Sequence, residues 1–332
     1  MVKSLPLQML VVIYCTCWLV SSEARCQTPR EVLDSYFSAA RTNFEAIEKF
    51  DLFIRTDITK ESQFQTPEVV TTFQRIVFDS DSERYLFASR GQRISMTGEK
   101  VDSFREGFVL NEHTVRRLGA RGNSVVKETG VKREEVFDQL HLPDVRIMLF
   151  PSLDSRRGRL WQDNSFESYT LFAKQASEVK FTSADAMSFR MMFENGIGYS
   201  FRFDPNTLLP SYSKWFSVAG DDTNVLAEGD FRWEQNSGIF VPILASFEHN
   251  RPELPLAMKG LPREELAKQI RIFKIKTNVQ LHWISINQEI DPKLTSLSML
   301  DSVSDFFQLT DPLEQGLPVL DTFQTPGDVS EK

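Results

Sequence analysis

Side chains able to move a proton or hold a metal near neutral pH are few in this chain. The four histidines are His113, His141, His249 and His282. None stands at metal-ligand spacing from another histidine or from a cysteine. His282 lies between Leu281 and Trp283 in an alternating run, where it reads as a surface or second-face residue. A hydrolase serine would sit in a Gly-x-Ser-x-Gly elbow, and the chain has none. The glycines at Gly91, Gly119, Gly122, Gly196 and Gly198 lack the Lys-Ser/Thr that a phosphate loop requires. Asp and Glu total 46, but no spacing marks two of them as an acid–base pair. Read this way, the chain is not an enzyme and needs neither metal nor cofactor.

The chemistry the sequence does carry is apolar. Phe occurs 27 times against 6 Tyr and 5 Trp, which suits a wide buried face or an apolar cavity. The largest side chains recur at alternate positions: Met187, Phe189, Met191 and Phe193, then Tyr199, Phe201 and Phe203, then Phe273, Leu281 and Trp283. Met192 and Trp215 lie in the same region. Ser188, Arg190, Ser200, Arg202, Lys274 and Lys276 fall between them, as a two-faced sheet demands. Such a surface either lines a site for flexible acyl chains or forms a closed core, and the sequence leaves both open.

The elements that position these residues are legible. Thr28 is a good N-cap and Pro29 suits the first helical turn. Leu33, Tyr36, Phe37, Ala40, Phe44 and Ile47 then form one apolar stripe at helical spacing. At Phe50 the period changes to two, and Phe50, Leu52, Ile54 and Ile58 share one side of a strand. Strands over 69–78 and 84–90 flank the turn Asp79–Ser82. Residues 91–130 show weaker, shorter strands, and 132–142 reads as a short helix. Strands over 187–193 and 197–203 meet at Asn195-Gly196, a strong hairpin signal. In FDPNTLLPSY (203–212), Pro205 fixes φ while Asp204 and Asn206 can bond local backbone. Strands follow over 209–218, 226–235, 239–249 and 270–286. Pro242 calls for an edge or a bulge. A short helix is expected over 263–269.

Asp204-Pro205-Asn206-Thr207-Leu208-Leu209-Pro210 resembles a turn of the periplasmic lipoprotein-carrier superfamily, the Lol-type outer-membrane lipoprotein-sorting proteins, where it often reads Asp-x-x-Thr-Gly-Leu-Pro. Asp230-Phe231-Arg232, Ser237-Gly238 and Pro242 resemble that family's next strand–turn–strand. The likeness spans about 28–60 and 165–290. Leu208 departs from the family glycine, so a different turn geometry is expected there. The resemblance implies an α+β fold: a strongly curved antiparallel sheet, an open half-barrel, with helices on its concave side. It also implies an apolar ligand, lipid acyl chains or a lipoprotein, held between sheet and helix. The other reading is a structural or regulatory envelope protein that binds another envelope protein through the same sheet. The expected layout is one domain over 28–309, an irregular helical insertion near 131–165, and a disordered acidic tail over 310–332.

Compartment and charge limit the partners. Lys3 precedes the apolar run Leu5–Val20, and Ser22-Glu23-Ala24 offers a cleavage site, so 1–24 reads as a secretory signal peptide leading to the periplasm or cell envelope. Cys15 and Cys17 lie in that segment, which leaves Cys26 without a partner for an intrachain bridge. A net charge of −8 disfavours nucleic acid. N-terminal sequencing of the exported protein is expected to begin at Arg25; a chain that retains Met1 in the membrane would contradict the reading.

Overall fold

In this computed structural model the described residues are 27–61, 68–82, 84–95, 100–112, 114–118, 125–129, 174–220, 222–253 and 271–317. The signal peptide, Cys26, the insertion near 131–165, the helices expected over 132–142 and 263–269, and residues 318–332 lie outside them.

The first described element is helix α1, Pro29–Glu45. Its start is fixed by a capping box. The Thr28 hydroxyl accepts from Glu31 N at 3.3 Å, and Thr28 N donates to Glu31 Oε2 at 2.8 Å, so two backbone donors that a helix start leaves open find partners. Leu33, Tyr36, Phe37, Ala40 and Phe44 are buried, as the stripe requires.

Among the described residues, thirteen strands form one antiparallel sheet. They are β1 Lys49–Glu61, β2 Glu68–Asp79, β3 Arg84–Ser95, β4 Lys100–Asn111, β5 Thr114–Leu118, β6 Val125–Thr129, β7 Glu178–Phe181, β8 Ser188–Met192, β9 Ile197–Phe203, β10 Pro210–Ala219, β11 Asp222–Asn236, β12 Ile239–Glu253 and β13 Arg271–Ile286. The spatial order is β6-β5-β4-β3-β2-β1-β13-β12-β11-β10-β9-β8-β7. The chain thus makes two meanders, and the first and last strands join them at the centre. That pairing runs from Phe50 opposite Ile286 to Glu61 opposite Lys274. Among the described residues the outermost strands, β6 and β7, do not pair with each other, so the sheet stays open.

The expected hairpins are present. Gly196 takes φ +77° between β8 and β9. Pro242 lies beside a bulge in the β11–β12 register, at Arg232/Trp233, which is how a central strand tolerates a residue with no amide donor. In the 204–210 turn the Asp204 carboxylate accepts from Asn206 N at 2.8 Å and Thr207 N at 3.0 Å. Leu208, where the resemblance has glycine, adopts the left-handed region itself, φ +56°. That costs a branched side chain about 1–2 kcal/mol, which the packing of Leu208 against the main apolar cluster offsets.

α1 covers one face along the β7–β13 half. Arg30 donates to the carbonyls of Lys174 and Ala176, beside β7, at 3.0 and 2.7 Å. At the other end Asn287, just past β13, donates to Ala46 O at 2.6 Å. Six strand spacings are about 29 Å, and a helix of this length spans about 25 Å, so one helix bridges that half of the sheet.

The opposite face has a cover that the sequence reading missed. After β13 the chain returns through a 3-10 turn, Leu297–Leu300, and helix α2, Val303–Gln308. Leu300, Phe306 and Phe307 pack there on Val77, Leu86, Ala88, Val109 and Leu118. Gly107 makes room for this contact, since a Cβ there would lie 2.4 Å from the Phe306 ring. The expectation of a disordered tail from 310 is corrected over 310–317. Thr310 is fully buried, Asp311 pairs with Arg90, and Gln315 accepts a bond from Arg75. Pro312 and Leu317 line a crevice with Phe53 and His282. These residues look like tail in the sequence because their partners are remote in the chain.

Beneath this strap lies a buried ion pair. Arg75 donates twice to Asp51, at 3.0 and 2.7 Å, with both side chains 8% exposed. Removing one partner strands the other charge in the interior. Asp51→Ala is expected to lower the unfolding free energy in urea by about 3–5 kcal/mol, while Asp51→Leu combined with Arg75→Leu should recover much of that loss.

Candidate functional site

The candidate site is the interface between α1 and the β8–β13 face. Tyr36 and Phe37 on α1 reach the sheet at its ring-rich centre. Tyr36 lies 5.7 Å from the Phe189 ring centroid, edge-on, and 4.9 Å from Phe203. Phe37 meets Phe201 at 5.7 Å and Phe203 at 6.1 Å. At the end of the helix, Phe44 packs 5.5 Å from Trp233. Asn43 exchanges two bonds with the Phe240 backbone, at 2.7 and 2.9 Å. The helix is therefore seated mainly by apolar contact along its length, with directional bonds at its ends, at Tyr36 and at Asn43.

The ten residues read from the alternation divide by position. Phe189, Met191, Tyr199, Phe201, Phe203 and Leu281 are buried in the cluster that includes Leu33, Phe37 and Phe44. Met187, Phe193 and Trp283 are partly buried against the same cluster. The Tyr36 hydroxyl donates to Met187 Sδ at 3.6 Å, and Trp283 Nε1 donates to Pro242 O at 2.7 Å. Phe273 is not brought in. It pairs with Arg251 toward the far end of β13, and it belongs to neither apolar cluster.

Two polar groups lie on this same face of β10. Ser213 stands opposite Phe201, and Trp215 opposite Tyr199. The Trp215 and Tyr199 rings stack nearly parallel, 6.3 Å apart. Ser213 is 1% exposed. Both Ser213 Oγ and Trp215 Nε1 are buried with no hydrogen-bond partner among the described residues. By contrast, Trp233 Nε1 on the next strand donates to Pro210 O at 2.8 Å. Buried polar groups are ordinarily bonded; these two lie two residues apart in an otherwise apolar face, and Ser89 Oγ on β3 is likewise unbonded among the described residues. The sequence reading missed Ser213, because a serine at an inward position looks like a break in the pattern.

The polar face offers little for catalysis. Tyr212 donates to Glu228 Oε2 at 2.7 Å. Burial first, and then the Glu228 carboxylate, hold its phenol well above the ordinary range, so it stays protonated. Burial also raises the Asp230 carboxyl, against the pull of Arg202 3.7 Å away. Burial lowers His282, whose ring lies 6.4 Å from Phe53. None of these arrangements makes a nucleophile with an adjacent base. Among the described residues, no group of three His, Cys, Asp or Glu could hold a metal, and no helix is long and apolar enough to cross a membrane.

No family model and no curated protein matches the chain. Among solved structures it is similar to a DUF1329 family protein from Desulfovibrio piger, with 10% identity over 80% of this chain and 98% of that one, at a TM-score of 0.34. It is also similar to a LolA superfamily protein from Nitrosomonas europaea, with 7% identity over 77% of this chain and 97% of that one, at a TM-score of 0.30. The second is a member of the superfamily that the 204–210 turn resembles. TM-scores this low leave the function to be read from the geometry.

Phe203→Ala, at the point where Tyr36, Phe37 and Phe189 converge, is expected to cost about 3–5 kcal/mol in urea unfolding. Phe273→Ala should cost clearly less. Equal losses would show that the helix contact is not what makes this face a core.

Proposed function

We propose that the protein is an exported carrier or sensor that holds an acyl chain between α1 and the sheet, with α1 on the concave side. The observation that carries this is the pair of orphaned donors, Ser213 Oγ and Trp215 Nε1, set among Tyr199 and Phe201. An acyl chain brings methylenes for the rings and a carboxylate or ester oxygen for the donors. Leaving a buried donor unbonded costs about 1–3 kcal/mol, and a bound acceptor returns that energy as affinity. Access is consistent with the construction of the face. α1 is seated mainly by non-directional contact, and Met187, Phe193, Trp215, Trp233 and Trp283 are only partly buried around it. Rings and thioethers of this kind repack around flexible ligands.

A second reading has its own support. Phe189, Met191 and Phe203 are buried almost completely by the protein itself, as in a closed core whose sheet serves a protein partner. The two readings separate on Ser213→Ala and Trp215→Phe. Each variant removes an unbonded donor, so stability should hold or rise. For a carrier, affinity for a fluorescent fatty acid falls several-fold in each variant. A parent protein that binds no such probe, and carries no lipid in native mass spectrometry after isolation from its own envelope, would leave the closed core.

A further inference from the structure

The face turned away from α1 carries a row of arginines set by the strand register. Arg55 on β1 stands opposite Phe73 on β2, Phe73 opposite Arg90 on β3, and Arg90 opposite Arg105 on β4. The Arg55 and Arg90 guanidinium groups both lie over the Phe73 ring, 5.9 and 5.4 Å from its centroid. Like charges placed directly opposite each other in a sheet repel, and the available carboxylates do not serve the row evenly. Arg55 pairs with Asp57 at 2.9 Å, and Arg90 meets Asp311 at 3.2 Å. Arg105 lies 5.3 Å from the centroid of the Phe307 ring and has no carboxylate partner among the described residues. One row along, Gln92 stands opposite Ser103. Arg90, Gln92, Ser103, Arg105 and Phe73 line a single groove of about 310 Å³.

We propose that this groove binds a phosphate group. Two guanidinium groups in direct register on adjacent strands can present their forks to one dianion, which suits the geometry and strength of arginine–phosphate pairs. A dianion between them would offset the Arg90–Arg105 repulsion, which the single charge of Asp311 beside Arg90 does not. Gln92 and Ser103 supply neutral donors for the remaining oxygens. The Asp311 carboxylate already rests against Arg90, so an oxyanion can reach that fork. The site is a local positive spot on a chain of net charge −8. A small phosphate ester and a phospholipid headgroup present the same recognising chemistry, and the experiment separates the two sources. The proposal does not depend on what lies under α1.

Two measurements on the full chain test it: titration calorimetry with inorganic phosphate, and co-sedimentation with phosphatidylcholine vesicles with and without phosphatidic acid. Arg105 is exposed, so Arg105→Gln should keep the melting temperature while weakening binding about tenfold, the loss of one charge-assisted pair. Asp311→Asn removes the competing carboxylate and should tighten binding. Binding of free phosphate alone identifies a small ester as the ligand source, and binding only to phosphatidate vesicles identifies a headgroup. Unchanged binding in Arg105→Gln, or no binding of either probe at physiological ionic strength, overturns the proposal.

Discussion

The structure depends on one long-range pairing, that of β1 with β13. β1 follows directly from α1, and β13 leads directly into the 3-10 turn and α2. Once these two strands lie side by side, α1 enters one face of the sheet and the C-terminal segment enters the other. The join is sealed at its end by Asn287, whose side chain accepts from Glu48 N and Lys49 N at 2.9 and 3.1 Å and donates to Ala46 O. Without this contact the two meanders would present two unprotected edges at the middle of the molecule, and open strand edges invite association.

The two faces are held by different means. Under α1 the contacts are rings, with few directional bonds along the helix. Under the C-terminal segment the apolar contacts at Phe306 and Phe307 are joined by two ion pairs, Asp311 with Arg90 and Asp301 with Arg116, and by Gln315 on Arg75, whose own pair with Asp51 the segment covers. Lifting this segment would part those two partly exposed pairs and uncover the buried Asp51–Arg75 pair, whose charges are costly to disturb. A face secured by non-directional contact can exchange one apolar partner for another.

Local pattern made much of this legible in the sequence. The Thr28 cap, the α1 stripe and the Asn195-Gly196 hairpin are each written within a few residues, and so the helix and most strands could be read directly. The central pairing left no such trace, because Phe50 and Ile286 lie at opposite ends of the domain. The strap was misread for the same reason. Asp311 and Gln315 look like a solvated tail until Arg90 and Arg75, more than two hundred positions away, are brought beneath them; Gln315 and Arg75 are separated by 240 residues. At the candidate site the ring positions followed from alternation. Phe273 did not belong because alternation gives the face of a strand but not how far along it the covering helix reaches. Ser213 was missed because its importance lies in an absent partner, which only coordinates reveal.

The central claim is that an acyl chain lies between α1 and the sheet, with its head toward β10. Isotope-filtered NOE spectroscopy with a carbon-13-labelled fatty acid tests this most directly. The account predicts cross-peaks from the acyl methylenes to the Tyr199, Phe201 and Trp215 ring protons, together with a shift of the Trp215 indole N–H as it gains an acceptor. Cross-peaks confined to the opposite face, for example to Ile284 and Leu244, or no contact with any ring under α1, would contradict it.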